Sequence, residues 1–291
     1  MCRKALEMHN QDLTEAEKWL KAEARKQGWE RAEKVKSRTT GEGLIGIYTN
    51  ENGLAQSTMV EVKCETDFVA RNEKFIALVT KLTQQLDTLA ETILPQRDSG
   101  ELISKVWIVD EKKLSEIAGE SVVDAISGLG ENIRFVRGCI VRVRSTDPET
   151  CLMPYTHAVA GKIPSPNPNV ILGKYGTIIA LHKEPNKQSL DESKIQEVDE
   201  TIQARSLTEV CQKLGQHIIG LSPTSVAPPV VENETSEIDH PTIVGDEEPT
   251  ALLKQKFIFN DEITVEEFLK NSNTKVLDFV RFECGEESED N

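Results

Sequence analysis

A thiol and an imidazole are where covalent chemistry would most simply begin, and the chain offers Cys64 and His157. As a nucleophile pair they would need the imidazole to take the thiol proton and a third group to orient the ring. Cys64, however, falls in phase with Val60 and Val62 and reads as a small core residue. His157 has no partner base in view, and a histidine on a hairpin strand is more often structural or simply exposed than catalytic. Phosphate loops are missing too. Gly161-Lys162 and Gly173-Lys174 lack the spacing and the hydroxyl, and Gly128-Leu129-Gly130 lacks the third glycine of a dinucleotide site. Neither H-E-x-x-H nor G-x-S-x-G occurs. The cysteines at 2, 64, 139, 151, 211 and 284 form no C-x-x-C pair, and the five histidines do not stand at ligand spacing beside them. Neither zinc nor a disulfide framework is expected, and a reducing compartment is the default. The residues predict no catalytic, cofactor or metal site.

A binding site is another matter. Cys64-Glu65-Thr66-Asp67-Phe68-Val69-Ala70-Arg71-Asn72 joins a strand to a helix, where connections are normally polar and exposed. Here Phe68 and Val69 place apolar bulk beside the carboxylate of Asp67. Burial habits alone favour Phe68 as a cap on the core. The competing reading is a protruding wedge, an aromatic anchor for a partner's groove with an acid beside it.

The elements that must carry this segment can be read from periodicity. Residues 2–36 read as helical, with a turn at His9-Asn10-Gln11, Asp12 as N-cap and Glu15 at the capping-box position. Ala16, Trp19, Leu20 and Ala24 form an apolar stripe, and a basic stretch from Arg25 to Arg38 reads as a solvated helix face. Two short helices cannot bury a core alone, so a third partner helix is either missing or supplied elsewhere. Leu44 to Tyr48 reads as a strand, followed by a turn at Asn52-Gly53. Val60, Val62 and Cys64 then alternate with Glu61 and Lys63, as in a half-buried strand. A helix bearing Phe75, Leu78, Val79, Leu82, Leu86 and Leu89 follows, then a short one with Val122, Val123 and Ile126, then a strand from Ile133 to Arg144. A second unit repeats the recipe. Its strands are Met153–Val159 and Thr177–His182, its helix Leu207–Ile219, and its last strand Val276–Cys284. Thr264 and Glu267 make a capping box for a helix through Phe268 and Leu269.

The expected fold class is α+β: a short helical N-terminus, then two related subdomains, each an antiparallel sheet packed with helices. The expected boundaries are 1–38, 40–145 and 150–285, with a mobile Pro- and acid-rich linker at 223–250 and an acidic tail at 286–291. The 291 residues carry a formal net charge of −15, which disfavours binding to nucleic acid. No apolar run approaches the roughly 20 residues that span a bilayer, so no membrane is expected. Acidic residues from Glu7 to Glu23 argue against a transit peptide, and the start reads as a mature core or a chain lacking its beginning.

Thr66-Asp67-Phe68-Val69 followed by Ala70-Arg71-Asn72 closely resembles the signature of the elongation factor Ts family. Cys2-Arg3-Lys4-Ala5-Leu6 with Asp12-Leu13 resembles that family's ubiquitin-associated-like N-terminal domain, here without its first helix. Gly41–Ile47, Gly130-Glu131-Asn132-Ile133, Tyr155-Thr156-His157, Leu172–Gly176, Leu214-Gly215-Gln216-His217 and Phe279–Glu286 fall in family order, several of them in the manner of the animal mitochondrial branch. Ala158 stands where the family commonly has Gly, and 223–250 replaces the helical hairpin of bacterial members.

The resemblance implies a nucleotide-exchange factor with no catalytic site of its own, acting in mitochondria. Its partner would be GDP-bound elongation factor Tu, met by a monomer that forms a one-to-one heterodimer. It implies that Thr66, Asp67, Phe68 and Val69 disturb the magnesium site of the partner, and that Cys2, Leu6, Leu13 and His157 make further contacts. The alternatives are an adaptor built on the N-terminal helices and an RNA-associated translation protein.

Overall fold

The computed structural model describes residues 2–49, 56–93, 102–143, 149–158, 161–184, 206–228 and 250–286. The Asn52-Gly53 turn, Arg144, Val159, residues 229–249 of the expected linker and the tail from 287 lie outside them.

Two helices open the chain, α1 (Cys2–Met8) and α2 (Leu13–Val35). Between them Asn10 and Gln11 take left-handed backbone angles, and the Asp12 side chain caps α2 by accepting from the N–H groups of Thr14 and Glu15. The expected capping box does not form, because the Glu15 carboxylate pairs with Lys18 instead. The second helix runs for 23 residues, close to the stretch from Asp12 to residue 36 read as helical. Its first half packs on α1 through Ala5 and Ala16, while Val35 near its end enters the main core.

The antiparallel strands β1 (Glu42–Thr49) and β2 (Gln56–Cys64) lead into α3 (Asp67–Ala70), α4 (Glu73–Thr88) and α5 (Ala90–Ile93). Then come β3 (Ile103–Ile108), α6 (Glu111–Ala118), α7 (Ser121–Leu129) and β4 (Ile133–Val143). Next are β5 (Thr150–His157), β6 (Val170–Gly173), β7 (Tyr175–Lys183) and α8 (Leu207–Leu221). The hairpin β8 (Lys256–Phe257) and β9 (Asn260–Thr264), helix α9 (Val265–Asn271) and β10 (Thr274–Glu283) complete the described chain. Helix α7 packs against the second half of α2: Arg31 donates to Ser127 O at 3.0 Å, and Gly28 lets Val123 approach closely.

One sheet has the order β3-β4-β2-β1-β6 and a second the order β10-β7-β5. Alternation along the strands divides the apolar side chains among three cores. Leu44, Val60, Val62 and Ile140 face α4 and α6, while Ile45, Ile47, Met59, Cys139 and Val141 face the second sheet. In β7, Ile178 and Ala180 return that contact, and Ile179 and Leu181 point away to α8 and α9. The sheets approach closely where β7 begins: a Cβ on Gly176 would sit 2.6 Å from Ile45 Cγ2 and 3.1 Å from Met59 Sδ.

Two differences from the sequence reading follow from this layering. The strand ending at Cys64 is not half-buried. Its polar alternate Glu61 is fully buried beneath the second sheet, where Arg137 Nε donates to it at 2.6 Å and Gly285 N at 2.9 Å. Strand β6, which follows residue 150 in the chain, pairs with β1 and lies in the first sheet. The expected boundary near 145–150 is therefore crossed by a strand.

Candidate functional site

Strand β2 ends at Cys64, and two residues later Thr66 caps α3 by accepting from Val69 N at 3.3 Å. This single turn sends consecutive side chains in different directions. Val69 and Ala70 enter the main core, and Phe68 points away from it. At 83% exposure, Phe68 is the most exposed large apolar side chain among the described residues. Asp67 stands beside it at the surface, 3.4 Å from Arg71 Nη2 in an exposed pair worth little in energy.

The backbone beneath the ring is held from the far side. Helix α7 ends at Gly130, whose φ of 80° suits a residue without a Cβ, and the chain turns into Glu131. The Glu131 carboxylate accepts from Thr66 Oγ1 at 2.6 Å, Thr66 N at 3.1 Å and Glu65 N at 3.2 Å. Beside it, Asn132 N donates to Glu65 Oε1 at 2.6 Å, and Asn132 Nδ2 donates to Arg38 O at 2.7 Å and Lys36 O at 3.2 Å. The turn bearing Phe68, the α7–β4 turn and the segment after α2 thus share one polar junction. Burial habits missed this cluster. Gly130-Glu131-Asn132 stood out only as a string in family order, and its bonds to Glu65 and Thr66 span more than sixty residues of chain.

The other expected contacts lie elsewhere. Cys2 is exposed and Leu6 half-buried on α1, and Leu13 is exposed at the first turn of α2. His157 is exposed at the end of β5, with the Tyr175 ring 6.3 Å from its own. The Cys64 thiol is buried, donates to Thr66 O at 3.3 Å, and is pushed up to about 12 by that burial. At neutral pH it is a thiol and not a thiolate, so it is no nucleophile.

The described residues thus form a mixed α/β chain that presents an exposed aromatic ring and a carboxylate on a braced strand–helix turn. The family model described as elongation factor TS matches residues 65–286, and that of the N-terminal region of mitochondrial elongation factor Ts matches residues 1–30. Mitochondrial elongation factor Ts of Branchiostoma floridae is 37% identical, with 99% of this chain aligned to 85% of that protein. The Rattus norvegicus protein is 36% identical over 98% of this chain and 78% of its own length. The Homo sapiens protein is 33% identical over 99% and 79%. The chain belongs to the elongation factor Ts family, in its mitochondrial form. Membership places it in translation elongation as a partner of elongation factor Tu, in a family of nucleotide-exchange factors.

Proposed function

We propose that this chain binds GDP-bound elongation factor Tu in the mitochondrial matrix, as a one-to-one heterodimer, and drives GDP out by disturbing the magnesium site. Phe68 is the wedge. Its ring enters an apolar cleft between helices of the GTPase, and Asp67 perturbs the groups that order the metal's water shell. Magnesium keeps several waters and few protein ligands, so small displacements loosen it. The diphosphate then loses its charge neutralisation and departs, and GTP takes its place. The coupling is reciprocal: the factor weakens GDP binding by as much as GDP weakens binding of the factor. Thr66 caps the turn and Val69 roots it. Cys2, Leu6 and Leu13 on the N-terminal helices, and His157 on the second sheet, form the flanking contacts.

The observation that carries this reading is the exposed Phe68 ring on a turn whose next two residues are buried. The test is release of fluorescent GDP from a mitochondrial elongation factor Tu with substoichiometric amounts of this protein. Many turnovers per molecule are expected. Release at the unassisted rate would overturn the proposal.

A further inference from the structure

We infer that Glu131 is a positioning residue for the wedge: its carboxylate fixes the direction in which Phe68 leaves the fold. This rests on the exchange function proposed above.

Helix α3 has four residues, too few to hold its own shape in water. The Phe68 ring, being exposed, has little packing of its own to fix its direction. Its aim is therefore set by the backbone on either side. On the C-terminal side Val69 and Ala70 are anchored in the core. On the N-terminal side the anchor is Glu131, which accepts from two successive backbone N–H groups and from the hydroxyl that caps α3. Hydrogen bonds to an ionised carboxylate are stronger than neutral ones. Glu131 is itself placed by Gly130 before it and by Asn132 after it, whose bonds reach Glu65, Lys36 and Arg38.

An anchor held in its bound geometry avoids the cost of ordering at the moment of insertion. Loosening the turn should therefore slow the step in which the ring displaces partner groups. It should leave docking through the N-terminal helices and the second sheet largely intact.

The experiment measures the maximal GDP-release rate and the half-saturating concentration for full-length Glu131→Ala, Glu131→Gln, Phe68→Ala and the double variant Phe68→Ala/Glu131→Ala. Glu131→Ala should lower the maximal rate by about 10- to 100-fold, as misplacement of a reacting group does, with little change in half-saturation. Glu131→Gln keeps an acceptor for the two N–H groups and should recover most of the rate. The double variant should be no slower than Phe68→Ala, since the two residues act as a unit. Should Glu131→Ala fail to fold, Thr66→Val, which removes the 2.6 Å bond, carries the same cycle. Normal release by Glu131→Ala beside a slow Phe68→Ala would overturn the inference, and so would additive losses in the double variant. Normal release by Phe68→Ala would instead remove the wedge function, and this inference with it.

Discussion

Phe68→Ala separates a ring that holds the fold from one that acts on a partner. A phenylalanine buries roughly 200 Å² when fully enclosed. With 83% of the residue exposed, about a sixth of that area is at stake, or ~35 Å². At about 25 cal/mol per Å² the truncation costs the fold ~1 kcal/mol, against about 3–5 kcal/mol for a core phenylalanine. In a chain of this size the melting temperature should fall by only about 2–4 °C. An aromatic anchor at an interface is worth about 2 kcal/mol or more, so maximal GDP release should slow by at least roughly 30-fold. Stopped-flow release and a melting curve on the same preparation give both numbers. A melting point more than about 8 °C lower, with release lost only in proportion to the unfolded fraction, would return the ring to the core and refute the reasoning. So would a fully folded variant that releases GDP at the normal rate.

Burial pushes the thiols of Cys64, Cys139, Cys211 and Cys284 up to about 12 and raises that of Cys151, while Cys2 is exposed. Brief alkylation of the native protein at about pH 8 should therefore label Cys2 alone, and mass spectrometry after tryptic digestion checks this. Arg137 sits against the buried Glu61, stacks 4.2 Å over the Phe282 ring and donates to Glu283 O. Arg137→Met leaves that carboxylate only Gly285 N and the Lys63 ammonium at 3.8 Å and should cost about 3 kcal/mol, the low end for breaking a buried pair, measured by denaturant unfolding. Buried His217 accepts from Ile258 N through Nδ1 and bonds Gln255 through Nε2, and burial lowers its pKa. The unfolded chain then binds the proton more readily than the fold does. Stability should fall as pH drops through the histidine's ordinary value of about 6.5 toward the lower folded one. His217→Gln should flatten that slope in urea midpoints, and an unchanged slope would count against the assignment.

The long helices and central strands were legible because their apolar residues repeat at periods that leave little choice, whereas the short helices α5 and α6 were not read. Leu44 to Ile47 and Ile178 to Leu181 read as strands in either direction of facing. What periodicity could not supply is what covers the second face. Glu61 looked solvent-exposed because a charge alternating with valines normally is; the partners that make its burial tolerable lie at Arg137 and Gly285, far along the chain. Strand β3 escaped notice because it is a short edge strand with exposed alternates such as Trp107. Strand β6 escaped because four residues carry no period. At the site, burial habits pointed Phe68 inward and only the family signature pointed it outward. Glu131 had no local signal, since a carboxylate's use as an acceptor depends on which N–H groups the fold brings to it.

Strand β6 closes the edge of a sheet whose other strands are all made before residue 144, and Gly285 donates to Glu61 at the far end of the chain. During synthesis, then, the β1 edge stays open until Val170–Gly173 has left the ribosome, and the space between the sheets cannot seal until β10 arrives. Such long-range closures come late in folding. Cutting the gene near residue 148 should yield fragments that aggregate when made separately and recover only when mixed.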